Sequence, residues 1–133
     1  MRPVPYLDFI GAQMEHGPDG AALMRMGFSD TVLGRPGFLH GGAISGLLEM
    51  AAVAALTDAL GLEPDAARIK PINVTIDFMR GGRERDTLAQ ASITRLGSRV
   101  ANVEAIAWQD DRHRPIAAAR MNYLIVREVS ASR

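Results

Sequence analysis

With 133 residues, 47% of them hydrophobic and 23% charged, the chain has the size and make-up of one soluble globular domain, residues 1–133. Fifteen basic and fifteen acidic residues leave a formal net charge of zero, and aromatics are only 5%. That balance argues against a nucleic-acid or anionic-membrane binder, and the absence of cysteine excludes disulfides, thiolate metal sites and Cys nucleophiles. Met1 to Ile10 lacks a signal-peptide core, so a cytoplasmic protein is the expectation.

In chain order, Pro5 to Gly11 reads as one or two helical turns, with Pro near the start and Gly at the end. Ala12 to His16 suggests a short strand, Gly17-Pro18-Asp19-Gly20 a turn, and Ala21 to Phe28 a second strand. Ser29 to Leu39, with Gly34, Pro36 and Gly37, reads as an irregular loop. Gly41 to Leu60 is a long helix, stopped by Gly61 with Pro64 shortly after. Only Glu49 and Asp58 carry charge in it, so it is no transmembrane span and reads as a helix buried on nearly all faces. Ile72 to Met79 alternates Ile72, Val74, Ile76 and Phe78 against Asn73, Thr75 and Asp77, which predicts a strand with one buried face. Thr87 to Arg95 and Arg99 to Trp108 form a hairpin about Leu96-Gly97-Ser98, and Pro115 to Val126 is the last strand. The order predicts an α+β fold, in which a curved, mostly antiparallel sheet of five or six strands wraps one apolar helix. Such a sheet keeps an open edge that invites a second copy.

Glu is almost never fully buried unless it is paired or used, so Glu49 needs an explanation. His40-Gly41-Gly42 at the helix start suggests one. A helix N-terminus offers unpaired N–H groups to a developing oxyanion. Glu49 lies eight residues beyond Gly41, roughly 12 Å along the axis at the helical rise. One helix therefore cannot bring both to one acyl group. A second copy packed antiparallel can, and Gly42, Ala43, Ser45 and Gly46 are small enough for close approach. A loop-to-helix junction and a structurally paired acid are the plainer readings of the same residues.

The run PGFLHGGAISGLLEMA, residues 36 to 51, resembles the HGG-motif hotdog-fold thioesterases, close to the phenylacetate-pathway (PaaI-like) group. Gly37, His40, Gly41, Gly42 and Glu49 fit the family spacing, and INVTIDFMRGG, LGSRVANVEAIAWQ and PIAAARMNYLIV are similar to its later strands. The resemblance implies a hotdog fold in homodimers that pair into homotetramers, and hydrolysis of acyl-CoA thioesters without a cofactor or metal. Glu49 would be general base or nucleophile, the Gly41 N–H would polarise the thioester carbonyl, and His40 would orient the loop or the substrate near the leaving thiol. Gly42, Met50 and Val53 could line the acyl pocket, and Arg80, Arg95 and Arg99 could meet the CoA phosphates. Two departures stand out. The family's Asn or Gln six residues before the His is Gly34, and a Ser or Thr used by some members falls at Pro71. A weakly catalytic or non-catalytic acyl-CoA binding protein of the same fold is thus the alternative.

Overall fold

The computed structural model describes residues 4–61 and 67–127. Pro64, read as reinforcing the helix stop, lies outside them. Chain order runs α1 (Pro5–Ile10), β1 (Ala12–His16), β2 (Ala22–Met26), a 3-10 turn (Asp30–Val32), α2 (Gly41–Leu60), β3 (Ala67–Phe78), β4 (Thr87–Leu96), β5 (Val100–Trp108) and β6 (Ala117–Arg127). The strands form one six-stranded antiparallel sheet ordered β1-β2-β4-β5-β6-β3. This is the α+β hotdog architecture expected from the sequence.

The sheet curls around α2, which touches β2, β3, β4, β5 and β6. Small residues permit that approach. Ala89 on β4, Ala101, Ala105 and Ala107 on β5, and Ala117 and Ala119 on β6 are all buried. Larger helix side chains fill the space they leave, and Leu47, Leu48 and Leu56 are wholly buried. Truncating such a leucine to alanine costs about 3–5 kcal/mol in lost transfer energy and residual cavity. The helix ends where Gly61 adopts φ 58°, a left-handed conformation that glycine reaches without strain.

Two sequence expectations are corrected. Only nine of the twenty residues of α2 are buried, while Ser45, Glu49, Met50 and Val53 are half-buried, so the helix has an open side. The supposed buried face of β3 is largely uncovered too. Ile72, Val74 and Phe78 are 55%, 52% and 55% exposed. The reason is topological: β3 is the outermost strand, paired only with β6 among the described residues, and it meets α2 at few points. The register also slips between Pro71 and Asn73, leaving Ile72 in a bulge. Pro71 inside a strand fits this placement, because an edge strand tolerates a missing N–H. The strand also starts at Ala67, earlier than the alternation suggested, and β6 starts at Ala117 rather than Pro115.

Candidate active site

The segment before α2 folds back tightly. Gly34 N–H donates to Phe38 O at 2.9 Å, His40 N–H to Val32 O at 2.8 Å, and Leu39 N–H to Gly82 O at 2.9 Å. A Cβ on Gly34 would stand 2.9 Å from His40 Cα and 3.1 Å from His40 N. The position where the resemblance led us to expect an amide therefore has no room for any side chain. Phe38 is held between the Arg35 and Arg83 guanidinium groups, 4.3 and 4.5 Å from the ring centroid. Its ring lies on Gly81, where a Cβ would be 2.5 Å away. Gly81-Gly82 thus forms the floor on which the loop before the helix rests.

His40 is the N-cap of α2, in extended conformation at φ −69° and ψ 132°, and Gly42 N–H donates to its Nδ1 at 2.8 Å. An accepting Nδ1 leaves Nε2 as the protonated nitrogen of the neutral ring. Ala43 N–H is taken by His40 O at 3.0 Å. The Gly41 N–H has no acceptor among the described residues. The cap therefore satisfies its neighbours and leaves one donor free at the positive end of the helix.

Further along, Gly42, Ser45, Gly46 and Glu49 share one helix face, which lines a cavity of about 290 Å³ between α2 and β3. Ser45 Oγ donates to Gly41 O at 2.8 Å. The opposite wall includes Pro71, Val74 and Ile76 of β3. Tyr6 closes one side. Its ring lies on Gly46, where a Cβ would meet the hydroxyl oxygen at 2.4 Å, and its OH lies 3.4 Å from Gly42 O. Phe78 stands near the Gly41 end, 3.6 Å from where a Cβ would be. Tyr123, the cross-strand partner of Pro71, reaches the same cavity. Burial first, and the Glu49 charge second, hold its phenol well above the usual tyrosine pKa.

The structure thus places His40, Gly41, Gly42 and Glu49 along one helix but not at one point. Met50 and Val53 pack against the core and are not part of the cavity lining. The three arginines are apart. Arg80 lines a second cavity of about 220 Å³, together with Arg83, Arg85 and Arg114, where β3 ends. Arg95 and Arg99 are exposed beside the β4–β5 turn, at the other end of the sheet. Sequence reasoning did not single out Tyr6, Phe38 or Tyr123. Tyr123 could have been placed on the inner face from the alternation of β6, whereas the contacts of Tyr6 and Phe38 carry no local signal.

A model of the thioesterase superfamily matches residues 36–116 of the chain. A protein of Chromobacterium violaceum shares 35% identity and a TM-score of 0.73, over 91% of this chain and 82% of that one. A Bacillus halodurans protein solved with CoA shares the fold at TM-score 0.81 and 19% identity, over 96% and 82% of the two chains. A phenylacetic acid degradation-related protein of Ralstonia eutropha does so at TM-score 0.78 and 22% identity, over 92% of each. No curated protein matches the sequence. The family match spans the end of the loop, α2 and the strands β3 to β5, of which α2 and β3 line the cavity, and the chain belongs to the thioesterase superfamily, whose chemistry is thioester hydrolysis.

Proposed function

We propose that the protein hydrolyses acyl-CoA thioesters to free acid and CoA, in sites shared by two copies of the chain. One observation carries this reading: the free Gly41 N–H and Glu49 belong to the same helix but stand roughly 12 Å apart along its axis. Beside them runs β3, an unpaired edge with Val74 and Phe78 bare. Pairing β3 antiparallel with its copy about a two-fold axis would cover those side chains and set the two α2 helices antiparallel. The Gly41 end of one helix would then approach Glu49 of the other.

In that arrangement the thioester oxygen accepts from the Gly41 N–H, where charge develops in the transition state. Glu49 takes a proton from an attacking water, or attacks the carbonyl itself. His40, its Nδ1 engaged in the cap, presents Nε2–H towards the departing sulfur. The wall of Pro71, Val74 and Ile76 suits an apolar acyl group. The CoA in the Bacillus halodurans neighbour supports CoA as the carrier. Arg80, at the Gly41 end, is the arginine best placed for its phosphates. Gly34 and Pro71 favour a second reading, acyl-CoA binding with little or no turnover.

The test is free-thiol release across a panel of aryl-acetyl, benzoyl and medium-chain acyl-CoAs. The wild type is expected to turn over at least one, and Glu49→Gln to lose roughly 10²–10⁴ of that rate with the fold intact. A panel without turnover, or an unimpaired Glu49→Gln, would overturn the hydrolase reading.

A further inference from the structure

Tyr123 is 1% exposed, yet it reaches the cavity onto which Glu49 opens. A buried phenol ordinarily finds a strong acceptor. Here its O–H goes to the sulfur of Met121 at 3.3 Å, the only acceptor it has among the described residues. A thioether is a weak acceptor, so this donor is easily redirected. Tyr123 also lies directly across the strand pair from Pro71, whose ring has no donor to offer the cavity.

We propose that the Tyr123 hydroxyl is a catalytic donor that holds the attacking water beside Glu49, supplying the polar group that Gly34 and Pro71 lack. This rests on the acyl-CoA hydrolase reading above. The phenol O–H donates to the water oxygen, and the water donates one proton to the Glu49 carboxylate. The water oxygen bonds to the thioester carbon as Glu49 takes that proton. The carbon–sulfur bond then breaks, the proton passes to the leaving thiolate, and acid and CoA-SH are released. Tyr123 keeps its own proton throughout. Burial and the adjacent carboxylate both favour the neutral phenol, so it remains a donor across the working pH range.

Tyr123→Phe removes one oxygen and preserves the ring that fills the core. With the acyl-CoA turned over fastest, kcat is expected to fall roughly tenfold to a hundredfold while KM stays within about twofold. A structural role alone would leave kcat unchanged. A turnover-independent arm uses the stability cycle of wild type, Tyr123→Phe, Glu49→Gln and the double variant in denaturant titrations. A water shared by the two side chains makes the double variant non-additive, by roughly threefold or more in the unfolding constant. Tyr123→Phe turning over like wild type, or strictly additive effects in the cycle, would overturn the proposal. If no acyl-CoA is hydrolysed at all, the hydrolase reading fails, and the cycle still decides whether Tyr123 and Glu49 share a water.

Discussion

Placing at position 34 the amide that the resemblance led us to expect should harm this protein. The Gly34 Cβ position lies 2.9 Å from His40 Cα. Carbon atoms pack at about 3.5–4.0 Å, so any side chain must push the two segments apart by roughly half an ångström or more. The obstacle is backbone, and it is pinned. His40 N–H is bonded to Val32 O at 2.8 Å and Leu39 N–H to Gly82 O at 2.9 Å. Overpacking against such a framework costs about 1–3 kcal/mol, which for a chain of this size lowers the thermal midpoint by roughly 4–12 °C. The displaced residue is His40, so its cap and the neighbouring Gly41 N–H move with it. Since a misplacement of about 1 Å can cost a hundredfold, half of that should cost on the order of tenfold in kcat. Thermal melts and thiol-release assays on Gly34→Ala and Gly34→Asn check this. Both variants should lose stability and rate to a similar degree, because the Cβ does the damage. Gly34→Asn working faster than wild type at an unchanged midpoint would refute the reasoning.

Two further outcomes follow from the same geometry. Val74→Lys places a charge on the bare face of β3, 52% exposed in one copy, and should shift the protein towards monomers and remove turnover, as read by light scattering and thiol release. A stable Val74→Lys dimer with full activity would count against β3 as the contact. Alkaline stability should report on Tyr123, whose folded pKa is raised. An unfolded tyrosine releases its proton near pH 10 while the folded chain keeps its own, so stability falls as pH rises above about 10. Tyr123→Phe lacks that loss, and the gap between the two proteins in unfolding free energy, read from denaturant titrations, should change by up to about 1.4 kcal/mol per pH unit there. Parallel curves would contradict it.

Features with local causes were legible in the sequence. Gly41 to Leu60 runs uninterrupted by proline and ends at Gly61, which takes the left-handed conformation that glycine favours at a helix end. The β4–β5 hairpin followed from Leu96-Gly97-Ser98 between two alternating segments. The exposed face of β3 was not legible, since alternation shows that a face is apolar but not what covers it. That depends on strand order, a non-local property. The early start of β3 was hidden because Lys70 and Pro71 interrupt the pattern. For the candidate site, type and spacing pointed to His40, Gly41 and Glu49, and the helical rise showed that they do not meet in one chain. The reason position 34 is glycine was invisible, because it lies in a backbone contact with His40. The alternation of β6 could have placed Tyr123 on the inner face, but its meeting with Pro71 and Glu49 was hidden, because it joins three distant segments.

The shared site is the central claim, and complementation between two disabled variants tests it most directly. Glu49→Gln removes the acid. Gly41→Pro removes the oxyanion N–H, and the helix accepts it: proline is favoured at the first helical position, and His40 already has the extended conformation required before it. A Cβ at Gly41 would meet the Phe78 ring at 3.6 Å, an ordinary contact. Each variant alone should be inactive. Unfolded and refolded together in equal amounts, they should recover roughly a quarter of wild-type thiol release, because half the two-fold dimers are mixed and each of those holds one intact site. Two well-folded variants that recover nothing on mixing would place the reaction within a single chain and contradict the account.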